Sequence, residues 1–195
     1  MNKRDKEILS SLEKFRILTR DQLIEMHFSD NKTPYVVANR VMKRLTDNKA
    51  VVSEKDRRPY NYLLNPRPIK KDSAKAFHFR AIADFYIDLC KNKKPSLFEV
   101  EFKPMKKGGV EPDCFMKWHG YFFFCEMQRS VFSKKQMQAK IDLYHEYFIS
   151  DKWQKYTNDF PVIWLITDKK YDVDFKGLNV VQTKNVAEFL EMFGW

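Results

Sequence analysis

The hydrophobic positions of the first 65 residues recur at helical intervals in three short segments. Apolar residues are three or four apart in KRDKEILSSLEKFRIL (3–18), after the capping box TRDQ (19–22), and in PYVVANRVMKRL (34–45). The third segment follows Thr33, a typical N-cap residue, and begins at Pro34, which is favoured at the first helical position. Two strand-like runs, AVVSE and YNYLL, then flank the basic turn KDRRP. This order predicts three helices followed by a β-hairpin with a basic tip.

The same order is that of a winged helix-turn-helix, in which the third helix enters the major groove of DNA and the hairpin, the wing, approaches the backbone. In the third segment Val37, Val41 and Leu45 recur every four residues and predict the buried stripe. The polar, basic and aromatic residues off this stripe and at the hairpin tip are the candidate DNA-binding residues: Tyr35, Asn39, Arg40, Lys43, Arg44, Lys55, Arg57 and Arg58. The alternative is an ordinary solvated helix face on a module that docks a protein partner.

The charge distribution favours the DNA-binding interpretation of this module. The chain of 195 residues has a formal net charge of +10. Residues 1–71 hold 17 Lys/Arg against 9 Asp/Glu, whereas the rest of the chain holds 19 against 17. Because the basic excess is confined to the first third of the chain, that module is expected to bind a polyanion, and double-stranded DNA is the expected partner.

A second module follows a short linker. The segment NPRPIKKDS (65–73) contains two prolines and three basic residues and has no hydrophobic periodicity. We therefore expect a winged helix domain at 1–65, a linker at 66–73 and a second domain at 74–195. The second domain's pattern predicts a long helix, the strand SLFEVEFKP, two apolar runs around His119-Gly120, a helix, the strand PVIWLIT and the helix NVAEFLEMF. The expected fold class is α+β.

The two apolar runs, EPDCFMKW and YFFFCEMQ, predict a hairpin of defined register. If His119-Gly120 forms a two-residue turn, Asp113 lies opposite Glu126, and Glu111 lies opposite Gln128. Asp113 and Glu126 then share one face at one end of the sheet, and a slip of one residue would separate them.

Directly opposed carboxylates repel one another, and a divalent cation between them would offset that repulsion. Mg²⁺ prefers carboxylate, carbonyl and water oxygens, so Mg²⁺ is the expected cofactor, with Mn²⁺ as a substitute. Glu101 or Glu99 on the preceding strand is a candidate further ligand. A metal held here could polarise a phosphate and activate a water for in-line attack.

The residues at both ends of this hairpin carry a family resemblance. EPD (111–113) followed by CEMQ (125–128) resembles the PD-(D/E)XK nuclease signature in the form PD…ExQ. The whole chain resembles the replication-relaxation family of plasmids and other mobile elements. That family joins a winged helix to a segment of the form PD…E…K-I…Y, matched here by Pro112-Asp113, Glu126, Lys140-Ile141 and Tyr144.

The resemblance implies an N-terminal winged helix-turn-helix followed by a PD-(D/E)XK-like αβββαβ domain with a mixed central sheet. It implies Asp113 and Glu126 as metal ligands, with Gln128 at the position where the family's nucleases usually have lysine. Lys140, on the following helix, is a candidate to supply the missing positive charge. Asp113, Glu126, Gln128 and Lys140 are therefore the candidate catalytic residues, and Asp113, Glu126 and Glu101 the candidate metal ligands.

Two functions follow from this resemblance, and the sequence leaves both open. One is a Mg²⁺-dependent DNA endonuclease or nickase. The other is a non-catalytic transcriptional regulator or assembly factor that retains a degenerate nuclease fold. In either case the expected protein acts in replication, transfer or control of a plasmid, phage or integrative element. A second copy of the chain and other replication or transfer proteins are further candidate partners.

The remaining composition places the protein in the cytoplasm. Cys90, Cys114 and Cys125 lie in apolar surroundings without a CxxC pair, which is typical of reduced core thiols. No apolar run approaches the roughly 20 residues that a membrane helix needs. We therefore expect no membrane partner.

Overall fold

The computed structural model describes residues 1–56, 58–71, 73–105, 108–128 and 130–195. Within these residues the chain is α+β, with six α-helices, a three-stranded sheet and a mixed five-stranded sheet. The chain divides into two compact units, Met1–Ile87 and Asp88–Trp195. None of the helices in the described part of the chain is long and apolar enough to cross a membrane.

The first unit follows the predicted order of helices and strands. Its elements are α1 (Lys3–Phe15), β1 (Leu18–Thr19), α2 (Arg20–His27), α3 (Pro34–Asp47), β2 (Val51–Glu54), β3 (Asn61–Leu64) and the first part of α4 (Ala74–Asn92). The strands form an antiparallel sheet in the order β1-β3-β2. The helix expected to open the second domain, α4, therefore lies mostly in the first unit.

Two local signals were predicted for the starts of α2 and α3. The backbone N–H of Gln22 donates to the Thr19 hydroxyl (3.1 Å), and the backbone N–H of Thr19 donates to the side-chain oxygen of Gln22 (2.9 Å). These two hydrogen bonds confirm the capping box. Pro34 begins α3 as expected, but Thr33 makes no side-chain capping hydrogen bond. Its backbone (φ −132°, ψ 69°) departs from the extended conformation in which a capping hydroxyl reaches the first turn.

Gln22 has a second role in the first unit. Its side-chain NH₂ donates to Asp84 Oδ1 (2.6 Å) and to the Arg80 carbonyl (2.8 Å), and so joins the start of α2 to α4. Around these contacts the helices and β3 bury an apolar core that includes Ile8, Leu12, Phe15, Leu23, Phe28, Ala38, Met42, Leu45, Leu63 and Ile82.

The second unit is built on the mixed sheet. After the end of α4 come β4 (Leu97–Val100), β5 (Cys114–Trp118), β6 (Tyr121–Met127), α5 (Lys134–Ile149), a 3₁₀ turn (Lys152–Lys155), β7 (Val162–Ile166), β8 (Val180–Thr183) and α6 (Val186–Phe193). The sheet order is β4-β5-β6-β7-β8. The β4-β5 and β5-β6 pairs are antiparallel, and the β6-β7 and β7-β8 pairs are parallel. Strand β8 was not predicted from the sequence.

Both faces of this sheet are apolar, as the unbroken apolar runs predict. On one face Phe115 and Phe124 belong to a buried cluster with Met137 and Ile141 of α5. On the other face the residues of β5, β6 and β7 meet α6, where the rings of Trp164 and Phe189 are 3.9 Å apart between centroids. Cys114 and Cys125 are buried and Cys90 is half-buried, and the structure pairs none of them in a disulfide with another described residue.

The β5-β6 hairpin has the predicted register. His119 (φ 48°) and Gly120 (φ 91°) both have positive φ, as a two-residue turn of type I′ requires. Trp118 pairs with Tyr121, and the pairing continues without a slip to Cys114 and Cys125. The period of two along each strand therefore places the residues just beyond this last pair on a common face.

Candidate functional site

The predicted carboxylates meet at the open end of the β5-β6 hairpin. Asp113 immediately precedes β5 and lies one position beyond the last pair of the β5-β6 ladder, Cys114 with Cys125, while Glu126 is in β6. Glu126 is buried, with 1% of its surface exposed, and Asp113 is half-buried. One carboxylate oxygen of Asp113 accepts the backbone N–H of Met127 (2.6 Å), which anchors Asp113 to the strand that carries Glu126.

Two side chains of α5 complete what we call the carboxylate cluster: Asp113, Glu126, Lys140 and Tyr144. Residues 140 and 144 are one helical turn apart and therefore lie on one face of α5. The Lys140 ammonium donates to Glu126 Oε2 (2.5 Å), and the Tyr144 hydroxyl donates to Glu126 Oε1 (2.7 Å). Each oxygen of Glu126 thus has a donor, and one of the donors is cationic.

Burial determines the protonation of Glu126. Loss of water around the carboxyl raises the pKa of Glu126 to about 7, because desolvation disfavours the charged form. The Lys140 ammonium opposes this shift, Asp113 adds to it, and the hydrogen bonds from Lys140 and Tyr144 oppose it. Burial also raises the pKa of Tyr144 well above its ordinary value, and the neighbouring Glu126 adds to that shift. Tyr144 therefore stays protonated and acts as a hydrogen-bond donor.

The other predicted members of this site make different contacts. Gln128 is half-buried, and its backbone N–H donates to the Ile166 carbonyl (2.9 Å) on the neighbouring strand. Glu111 is exposed and forms an ion pair with Lys103 (3.2 Å). Glu101 has a left-handed backbone (φ 52°), which ends β4 earlier than predicted, and its N–H donates to the Asp113 carbonyl (2.8 Å).

In this structure the cation beside Glu126 is the Lys140 ammonium. A magnesium ion takes near-octahedral oxygen ligands, with water among them. Here both oxygens of Glu126 already accept hydrogen bonds, and the cation beside them is Lys140. Among the described residues no three His, Cys, Asp or Glu side chains come together as a metal-binding group. The magnesium ion stays a prediction, and we derive no hydrolytic step through it.

A second candidate site lies on α3 in the first unit. Ala38, Val41, Met42 and Leu45 are buried, which confirms the predicted stripe apart from the half-buried Val37. The predicted DNA-binding residues of this helix are all exposed and form what we call the α3 face: Tyr35, Asn39, Arg40, Lys43 and Arg44.

The basic residues of the α3 face differ in what they contact. Arg44 forms an ion pair (2.5 Å) with Asp5, whose side chain is 3% exposed, and Lys43 forms an exposed pair with Asp47 (2.7 Å). Arg40 makes no hydrogen bond or ion pair within the described ranges. Its guanidinium therefore has all five N–H donors available to a ligand.

Arg20 was not predicted, and it connects the α3 face to the hairpin. Its guanidinium lies 5.2 Å from the ring centroid of Tyr35 and 5.9 Å from that of Tyr60, and its backbone N–H donates to the Tyr60 carbonyl (2.8 Å). At the hairpin tip Arg58 lies 6.0 Å from the Tyr60 ring, and Lys55 is exposed. The predicted Arg57 lies outside the described residues.

The contact of Arg20 with Tyr60 follows from the pairing of β1 with β3 in the structure. Thr19 pairs with Asn61, so the next residues on each strand, Arg20 and Tyr60, must be neighbours. A strand of two residues is too short to be recognised by periodicity, and the contact was missed for that reason.

No family model and no curated protein matches this chain.

Proposed function

We propose that this protein binds double-stranded DNA through its first unit, with α3 in the major groove and the β2-β3 hairpin against the phosphate backbone. The observation that carries the proposal is the α3 face, where basic, amide and aromatic side chains are exposed opposite a buried apolar stripe. The order of helices and strands in this unit, and its sheet order β1-β3-β2, support a winged helix-turn-helix.

The exposed groups suit distinct roles on a duplex. Arg40 and Asn39 carry the donors and acceptors that read base edges, since arginine pairs with guanine and asparagine with adenine in the major groove. Lys43, Lys55 and Arg58 are suited to phosphates, which position a protein without specifying sequence. Arg44 contributes less than predicted, because its guanidinium is held by the buried Asp5.

For the second unit we propose a PD-(D/E)XK-like domain, in a protein that acts in replication, transfer or control of a mobile element. The order from α4 through β4, β5, β6 and α5 to β7, and the mixed sheet, support this assignment. The placement of Asp113 and Glu126 on one face supports it as well. Because Lys140 already supplies a positive charge to Glu126, the role that we favour is regulation or assembly on DNA. A cytoplasmic location and a second copy of the chain as partner belong to the same proposal.

The DNA-binding role is tested by titrating a fluorescent duplex with the full chain and with Arg40→Ala. The variant should bind more weakly and should discriminate less between duplexes of different sequence, because Arg40 is the candidate base reader. Lys6→Ala is the matched control, because Lys6 is an exposed basic residue on α1. Equal losses in both variants would show that affinity depends on net charge and would contradict a specific α3 interface.

A nuclease is the second candidate function, favoured by the convergence of Asp113, Glu126 and Lys140. Incubation of supercoiled plasmid with the chain and Mg²⁺ or Mn²⁺ distinguishes the two functions. A regulatory or assembly role predicts that the protein binds the supercoiled plasmid without nicking it. Nicking that disappears in Asp113→Asn would establish the nuclease.

A further inference from the structure

The carboxylate cluster contains its own cation. We propose that the Lys140 ammonium is the resident counter-ion of Glu126, and that it excludes a divalent metal ion from the Asp113–Glu126 pair. The inference rests on the proposed nuclease-like assignment of the second unit, because that assignment is what places a metal ion between these two carboxylates.

The first argument is the geometry around Glu126. Oε2 accepts from Lys140 and Oε1 accepts from Tyr144, so one of the two lone pairs on each oxygen is already engaged. Tyr144 cannot move aside easily, because its side chain is 1% exposed within the cluster that packs α5 on the sheet. An ion on the second lone pair of Oε2 would lie beside the Lys140 ammonium, and the two positive charges would repel one another.

The second argument is the charge balance. Asp113 and Glu126 together carry two negative charges when ionised, and Lys140 supplies one positive charge by direct contact. The backbone N–H of Met127 and the Tyr144 hydroxyl stabilise the remaining negative charge by hydrogen bonding. The repulsion that first suggested a metal ion is thus offset by groups of the chain itself.

The third argument is exposure. The Lys140 side chain is 26% exposed, whereas that of Glu126 is 2% exposed, so solvent reaches this ion pair mainly through the lysine partner. A hydrated divalent ion would approach from the same side and would meet a like charge there. Placing like charges side by side costs several kcal/mol.

The experiment measures Mn²⁺ binding to the full chain by the electron paramagnetic resonance signal of free Mn²⁺, without DNA. The wild type should take up no Mn²⁺ at about 1 mM, the weak end of protein cation sites. Lys140→Met should bind at least about tenfold more tightly, because the competing charge is gone. The gain should disappear in Lys140→Met combined with Asp113→Asn, and Lys140→Arg should resemble the wild type.

The inference is overturned if the wild type binds Mn²⁺ and Asp113→Asn abolishes that binding, or if folded Lys140→Met binds no better than the wild type. Tryptophan fluorescence reports whether Lys140→Met folds. If it does not fold, thermal unfolding of the wild type decides the matter. If Mn²⁺ stabilises the wild type but not Asp113→Asn, the inference is contradicted. If Mn²⁺ does not stabilise the wild type, the inference is supported. Since DNA is absent, a failure of the DNA-binding proposal does not alter this result.

Discussion

Substitution of Glu126 by glutamine should remove a pH dependence of stability from the second unit. Glutamine has the shape of a protonated glutamate and cannot ionise. In the wild type the pKa of Glu126 is raised from 4.5 to about 7, chiefly by burial. The folded state therefore binds a proton more tightly than the unfolded state does. The stability that this tighter proton binding gives the folded state is fully present below pH 4.5 and is lost as the pH rises through about 7.

The magnitude follows from the two pKa values. Each pH unit between them corresponds to 1.36 kcal/mol. The interval from 4.5 to about 7 then gives about 3 kcal/mol of stability that the wild type loses and the variant keeps. The difference in unfolding free energy, variant minus wild type, should rise by this amount between pH 4.5 and pH 8.

Urea denaturation at a series of pH values, followed by tryptophan fluorescence, measures this difference. All four tryptophans lie in the second unit, at positions 118, 153, 164 and 195, so the signal reports that unit. Glu99→Gln is the matched control, because Glu99 is an exposed carboxylate on β4 of the same sheet. This variant controls for the loss of one exposed carboxylate charge.

Two results would refute the reasoning. A Glu126→Gln difference that stays constant within about 0.5 kcal/mol, the usual error of such comparisons, would show that the carboxyl titrates normally in the folded state. A difference that falls with rising pH would show that Lys140 outweighs burial and lowers the pKa of Glu126.

Three further predictions, one of them with a control substitution, test separate parts of the structure. Arg44→Ala should destabilise the first unit by about 1–3 kcal/mol in urea denaturation followed by circular dichroism, because it leaves the buried Asp5 carboxylate without its cation. Lys43→Ala, which removes one partner of an exposed ion pair, should cost under about 1 kcal/mol. Equal costs in the two variants would contradict the distinction between a buried and an exposed partner. Gly120→Ala should destabilise the second unit by about 1 kcal/mol by tryptophan fluorescence, since alanine tolerates its φ of 91° poorly, and no loss would argue against the type I′ turn. Tyr144→Phe should lower the free energy of unfolding by about 1–3 kcal/mol and raise the pKa of Glu126 further, because the ionised carboxylate loses a hydrogen-bond donor. An unchanged pH profile of stability would exclude the hydrogen bond between Tyr144 and Glu126.

The parts of the fold that the sequence predicted are those governed by local periodicity. A two-residue turn at His119-Gly120 fixes which residues of the two strands lie opposite one another. The opposition of Asp113 and Glu126 therefore followed from counting residues back from the turn. The buried stripe of α3 followed in the same way from its helical period. These patterns depend only on the backbone geometry of a single element.

The parts that were missed depend on how elements pack together. Strand β8 is short and mostly half-buried, so VVQT shows no clear alternation. The alternation of β4 continues in sequence to Phe102, but the left-handed conformation of Glu101 ends the strand. The contact of Lys140 with Glu126 depends on the rotation of α5 against the sheet. Lys140 was named as a candidate from the family resemblance, and no local pattern in the sequence could have placed its ammonium on Glu126.

The most direct test of the central claim is the salt dependence of duplex binding by the wild-type chain. The exposed cations at the α3 face and the hairpin tip, among them Lys43, Lys55 and Arg58, predict several phosphate contacts. Each contact contributes about −0.9 to the slope of log affinity against log salt, so the slope should be about −3 or steeper. No measurable affinity for duplex DNA at about 50 mM salt, where such contacts are strong, would contradict the account.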